Sequence, residues 1–338
     1  MSARMRWTVC CAVAVTCAAV PGTARAAWRA YVSNFDSDNV EVFDDAGSHV
    51  ATIGHPSFNG PVGMDMGPDG MIYVSQNLSS VVSRINPVTN SFDGTFVSSN
   101  LTNPEDPLFD SSGRLLVADW SDKKVERFLS NGSFDQTFVA LAGAPGGLSF
   151  GPDKGGSASP DLYVGSHSDG TIKVFDADNG TFLQNFKTGL TGNLVLTVLG
   201  GPDLTGDGIG EVFVGGFGQF NASLNGSLGM YNGDTAALID SLSGTVGSIN
   251  IDNVKGMTLN PFDGKLYFAS RGNNQVLRTD ISGAGFSNLE VFASGSPLSG
   301  PQDIVFWVPE PSSMAIFVLG FLGLFLYVGR RQGTATLS

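Results

Sequence analysis

Cysteine is missing from most of this chain. All three, Cys10, Cys11 and Cys17, fall within the first 26 of 338 residues. The remainder can form no disulfide and no thiolate metal site, so its stability must come from packing. Histidine is nearly as scarce, with His49, His55 and His167 the full set. His49 and His55 stand in one turn at a spacing that suits neither a helical pair nor a Cys-partnered zinc site. No G-x-S-x-G, H-E-x-x-H or Walker loop is present, so the common hydrolase, zincin and nucleotide-phosphate signatures are absent. Charge is thin as well, at 14% of residues against a usual ~25%. The basic side is the thinner one, 18 Lys+Arg against 31 Asp+Glu, for a net charge of −13. Residues 27–338 alone stand at −16, which excludes nucleic acid as a partner, because phosphate binding needs a basic face.

Glycine and phenylalanine are plentiful, at 45 and 24 residues, within a chain that is 42% hydrophobic. That apolar content can build a large core and argues against disorder. So much glycine argues against a helical bundle. Short strands joined by tight turns fit both facts and predict an all-β fold.

The two ends carry addresses. Arg4 and Arg6 precede an apolar stretch, residues 7–20, that Pro21-Gly22 breaks. Ala24-Arg25-Ala26 then offers an A-x-A cleavage site, so residues 1–26 read as a secretory signal peptide cut after Ala26, with Ala24 and Ala26 as the small flanking residues. At the other end, Pro309-Glu310-Pro311 leads into an apolar run at 314–329, which Arg330-Arg331 closes. Such a run predicts a short transmembrane helix with the arginines on the cytoplasmic side. The order Pro-Glu-Pro, apolar helix, arginine pair resembles the PEP-CTERM sorting signal. That resemblance implies an exosortase-type membrane transpeptidase as partner, a precursor held in the membrane by its C-terminal helix, and delivery to the cell surface or extracellular matrix.

Between the ends, one unit recurs. Residues 31–44, 73–86, 116–129, 163–176 and 267–280 each run from an apolar strand through a polar turn into an alternating strand. A sixth copy, 213–232, has the same ends and an insertion around 221–225. The starts at 31, 73, 116, 163, 213 and 267 are 42 to 54 residues apart, the period of four-stranded propeller blades. Segments opening on Pro61, Pro104 and Pro145 supply a further strand ahead of three of the units. The run from Gly113 to Asp119, Gly-Arg-Leu-Leu-Val-Ala-Asp, and Asp161-Leu-Tyr-Val164 resemble NHL-type repeats. Residues 301–306 match the first strand of a blade with no hairpin after them, and Tyr31 opens a hairpin with no first strand before it. Joining the two completes a sixth blade and removes both free edges. The reading is therefore a six-bladed β-propeller over 27–307, closed by N- and C-terminal strands in one shared blade. Residues 308–338 form the sorting segment.

Two groups of residues suggest chemistry. Asp203, Thr205, Asp207 and Glu211, with the carbonyl of Ile209, place oxygens at positions suited to Ca²⁺ around Gly turns, and the segment resembles the FG-GAP loop of calcium-binding propellers. Thr205 and Glu211 depart from that pattern, which favours an acid or amide at the first position and Asp at the second. Separately, Asn34, Asp106, Asp119, His167 and Asp303 fall where inner strands and second-strand ends meet one mouth of the central channel. Related six-bladed lactonases and lyases bind metals with such side chains. The expected function is a non-catalytic surface or matrix protein whose propeller binds exopolysaccharide or another matrix protein. The alternative is a secreted metal-dependent hydrolase or lyase. The sparse His and Glu content favours the first.

Overall fold

The computed structural model describes residues 27–309 except 158, 191–193 and 218–226. The signal segment and Glu310, Pro311, the 314–329 run, Arg330 and Arg331 lie outside the described residues, as does the 221–225 insertion. Among the described residues no helix is long and apolar enough to cross a membrane.

Six sheets form a ring, five of four strands and one of five. We number the blades from the shared one. Blade 1 consists of Pro301–Trp307, Arg29–Asn34, Asn39–Asp44 and His49–Gly54, in that order from channel to rim. The inner strands of blades 2 to 6 are Pro61–Met66, Pro104–Phe109, Pro145–Gly151, Leu194–Gly200 and Val254–Leu259. The expected closure is present, with Val32 paired to Ile304 and Tyr31 to Val305. Blade 5 gains its extra strand, Ile249–Ile251, from a hairpin beyond its outer strand.

The core lies between blades rather than within one. Six apolar clusters fill the ring, each mixing residues of two neighbouring blades. The seam of blades 6 and 1 is aromatic: Trp28 packs edge-on against Phe306 at 5.0 Å and Tyr267 at 5.9 Å between ring centroids. Such pairs add to plain area burial, and here they hold the two chain ends of the ring together. The tyrosines that open the repeat units are buried, and their hydroxyls need acceptors. Tyr73 donates to Asp69 Oδ2 at 3.0 Å and Tyr267 to Asp263 Oδ2 at 2.7 Å. Those aspartates, turn residues by sequence, thus pin the turn before each second strand. At the rim, Gly132 and Gly180 have φ of +83° and +74°. A Cβ on either would lie 2.4 Å from a carbonyl oxygen of the preceding blade, that of Phe96 or Phe138. Glycine meets both demands at once.

Every inner strand carries one extra residue near its start, seen as a register shift against the second strand. A bulge of this kind breaks strict alternation. Successive side chains such as Glu105 and Asp106, or Gln302 and Asp303, consequently both line the channel.

Candidate functional site: the channel and its mouth

The third residue of each inner strand, or the fourth in blade 5, whose strand starts one residue earlier, reads Asp303, Gly63, Asp106, Gly147, Thr197 and Gly256 around the ring from blade 1 to blade 6. Side chain and glycine alternate, and the reason is steric. A Cβ on Gly256 would lie 2.0 Å from Asp303 Oδ1, one on Gly63 2.8 Å from Asp106 Oδ1, and one on Gly147 2.7 Å from Thr197 Cα. Each glycine makes room for the side chain of the next blade, so the six-bladed ring has an approximate three-fold pattern at this level.

The carboxylates work as rungs between blades. Asp303 Oδ2 accepts the N–H of Met64 at 2.7 Å and its Oδ1 that of Ile304 at 2.8 Å. Asp65 Oδ2 accepts from Phe109 N at 2.8 Å, and Asp106 Oδ2 from Leu148 N at 2.7 Å. Ser149 Oγ continues the series by accepting from Gly200 N at 2.9 Å. Burial pushes the Asp65 carboxyl up to about 6 and that of Asp303 up to about 7, against the pull of the N–H donors. Asp106 is raised well above the usual range by burial and then by the charge of Asp303. These groups line a cavity of about 140 Å³. That is enough for a few waters and short of the ~300–1,000 Å³ of a site that engulfs a small molecule.

Above this ring lie the residues one step earlier in each strand: Gln302, Val62, Glu105, Gly146, Leu196 and Lys255. Glu105 on blade 3 and Lys255 on blade 6 stand on opposite sides of the channel. Glu105 Oε1 accepts from Asn77 Nδ2 at 2.7 Å, and Asn77 is itself fixed by Asn103 Nδ2 at 2.7 Å from its side-chain oxygen. Burial raises the Glu105 pKa, and Lys255 and Arg271 lower it. Burial lowers that of Lys255, which Glu105 partly restores. Among the described residues Lys255 Nζ makes no hydrogen bond and no ion pair. Arg271, just past the second strand of blade 6, is bonded to Asp36 Oδ1 at 2.9 Å and lies over the Phe35 ring at 5.3 Å. Trp120 lines the same cavity, and its ring meets that of His167 at 3.8 Å between centroids. Burial first, then Lys255, brings the His167 pKa down to about 4.

Of the five channel-mouth residues expected from sequence, Asp106 and Asp303 share the channel and His167 borders its mouth. Asn34 and Asp119 do not join them. Asn34 is fully buried and ties the closing loop, donating to Pro297 O at 3.4 Å and accepting from Ser299 N at 3.3 Å. Asp119 accepts from Thr102 N at 2.7 Å and Asn103 N at 3.1 Å. Both side chains turn to loop N–H groups that would otherwise be buried without an acceptor. Among the described residues no three His, Cys, Asp or Glu side chains are grouped to hold a metal.

The same holds for the expected calcium loop. Asp203 accepts from Gly206 N at 2.7 Å and Gly208 N at 2.8 Å. Asp207 accepts from Ile209 N at 2.9 Å and Asn232 Nδ2 at 2.6 Å. Glu211, fully buried, accepts from Leu204 N at 2.6 Å, Thr205 N at 3.1 Å and Thr205 Oγ1 at 2.8 Å. The Thr205 hydroxyl links Glu211 and Asp207, the remaining carboxylate oxygens are turned to N–H donors, and no three carboxylates of the loop are grouped to hold a metal. Asp, Thr and Glu around glycines satisfy either arrangement, which is why spacing alone did not separate them.

The residues that sequence reasoning missed are Asp65, Glu105, Trp120 and Lys255. Aligning the second as well as the third position of the inner strands would have exposed Glu105 and Lys255.

The fold is thus that of a six-bladed β-propeller, and the chain matches the PEP-CTERM protein-sorting motif over residues 308–332. Among solved structures, the nidogen/laminin complex contains a chain similar to this one, with a TM-score of 0.63 at 13% identity, covering 82% of this chain and 98% of that one. A catalytically inactive virginiamycin B lyase from Staphylococcus aureus with quinupristin is similar at a TM-score of 0.50 and 15% identity, covering 82% of this chain and 78% of that one. At such identities the likeness is one of fold. A stretch of 49 residues is 47% identical to the PE-PGRS family protein PE_PGRS18 of Mycobacterium tuberculosis, covering 14% of this chain and 11% of that protein.

Proposed function

We infer from the sorting motif an exported, membrane-anchored precursor processed by an exosortase-type system. We propose that the processed protein is delivered to the cell surface or extracellular matrix and that its propeller is a non-catalytic module binding exopolysaccharide. The observation that carries this reading is the mouth of the channel. The Trp120 and His167 rings meet at 58° to each other beside polar groups of opposite charge, Glu105 and Lys255. An apolar face with few convergent polar groups suits a sugar ring, whose own faces are apolar and whose edges bear hydroxyls. The cavity below is too small to enclose a substrate, so recognition falls on whatever end group reaches the mouth.

The test is binding of the intact chain to exopolysaccharide purified from the producing cells, compared with Trp120→Ala. Retention by the native protein and loss in the variant at unchanged melting temperature is the expected result. Turnover of the polysaccharide, with release of new ends, would instead support the hydrolase or lyase reading.

A further inference from the structure

We infer that the channel mouth is selective for a carboxylate-bearing sugar, a uronate unit, whose acid group is received by Lys255. This rests on the polysaccharide reading above and adds the chemical class of the ligand.

Lys255 offers three N–H donors on a stem held in the channel wall. Among the described residues none of these donors is used. A cation in such a setting is poorly solvated, as the downward push on its pKa records, and an anion supplied from outside would relieve that cost. The opposing acid does not do so directly: Glu105 lies across the channel beyond ion-pair distance and is engaged by Asn77. Arg271 adds positive field at the mouth, felt by both Lys255 and Glu105. One edge of its guanidinium is fixed by Asp36. Deeper in the channel, Asp65, Asp106 and Asp303 are turned to backbone N–H groups of neighbouring blades. Those bonds, and their raised pKa values, reduce the negative charge facing the mouth.

Size and shape narrow the class. A cavity of about 140 Å³ admits an end group and excludes a whole oligosaccharide. The neighbouring Trp120 indole gives the ring that bears the end group a flat apolar surface. A carboxylate on a sugar ring meets both demands: charge for Lys255, and a C–H face for the Trp120 indole. A short charge-assisted bond between ammonium and carboxylate fixes the orientation.

The experiment is calorimetric titration of the intact chain with four probes: an oligogalacturonate, its methyl ester, a neutral oligogalactoside, and acetate. The inference expects the oligogalacturonate to bind and the methyl ester to bind about ten- to a hundredfold more weakly. Lys255→Met should abolish that difference, and Lys255→Arg should keep part of it. The ester comparison uses native protein, so it stands even where a variant folds poorly. Equal binding of acid, ester and neutral oligosaccharide would overturn the inference and leave the polysaccharide reading intact. Acetate binding as tightly as the oligogalacturonate would also overturn it, as an anion site without sugar recognition. Failure of all the saccharides, while purified exopolysaccharide is retained, would overturn the uronate assignment. Failure of the exopolysaccharide too would sink the parent reading.

Discussion

The carboxylate of Asp303 accepts the backbone N–H of Met64 at 2.7 Å, across 239 residues of chain. Asp303 belongs to the last strand of the propeller, and Met64 to the first inner strand that follows the shared blade. The bond therefore ties the closing strand to its neighbour in the ring, and it is possible only because Gly256 on the other side has no side chain.

Gly256→Ala should accordingly destabilise the fold. Its new methyl would sit 2.0 Å from Asp303 Oδ1 and 2.6 Å from Asp303 Cα. Backbone is involved, so the clash cannot be relieved by turning a side chain. Overpacking of this kind costs about 1–3 kcal/mol. Gly54→Ala is the matched control, a strand glycine with nothing within 4 Å of the new methyl. Denaturant melts of the two variants should show a lower midpoint for the first and an unchanged or slightly higher one for the second.

The ring should lose stability as pH rises. Asp65 and Asp303 have carboxyls raised to about 6 and about 7 by burial, and Asp106 moves the same way. A group whose pKa is higher folded than unfolded holds its proton more tightly in the folded state. Its contribution is fully present below the unfolded value, near 4, and is lost as pH climbs through the folded one. His167, with its pKa lowered to about 4, acts the other way over part of this interval, but the three carboxyls together outweigh it, and melting temperature should fall between about pH 4 and pH 7. Asp303→Asn should flatten part of that slope. A melting temperature that climbs steadily over this interval in the native protein would contradict the burial argument.

The ring and its closure were legible because they rest on repetition. Six unit starts, three proline-led strands and two complementary half-units leave little freedom once edges must be paired. Asp106 and Asp303 were legible for the same reason, as a column. Their second-position neighbours, Glu105 and Lys255, were not, because strand alternation sends adjacent side chains to opposite faces. The bulge at the start of each inner strand breaks that rule and turns both into the channel. Asn34 and Asp119 were misplaced for a different reason. Their backbones do end at the mouth, yet their side chains face loops whose N–H groups no strand satisfies. Such a demand is set by loop conformation and is invisible in spacing.

The loop from Asp203 to Glu211 should be indifferent to calcium. Each of its three carboxylates is already engaged by N–H or O–H donors. Binding an ion would require breaking several of those bonds before new ones form. Melting temperatures in excess Ca²⁺ and in excess chelator should therefore coincide. A rise with Ca²⁺ that disappears in Asp207→Ala would reassign the loop as an ion site. Glu211→Ala, by contrast, should cost about 2–5 kcal/mol with or without the ion, since it removes a buried acceptor from Leu204 and Thr205.

Processing should depend on the tripeptide rather than on the propeller. Pro309-Glu310-Pro311 falls just after the closing strand, Pro301–Trp307, within the matched sorting motif. Replacing the three by alanine leaves the ring's bonds and seams untouched, so folding and export should proceed. The variant should then accumulate in the membrane fraction with its C-terminal segment intact, while the native protein should be shortened and released. Substituting Arg330 and Arg331 by alanine should give a different failure, because paired cations fix the orientation of an apolar segment. Fractionation with immunodetection of the propeller separates the two. Normal shortening and release of the alanine-tripeptide variant would remove the tripeptide from the processing reaction and leave the apolar run as a plain anchor.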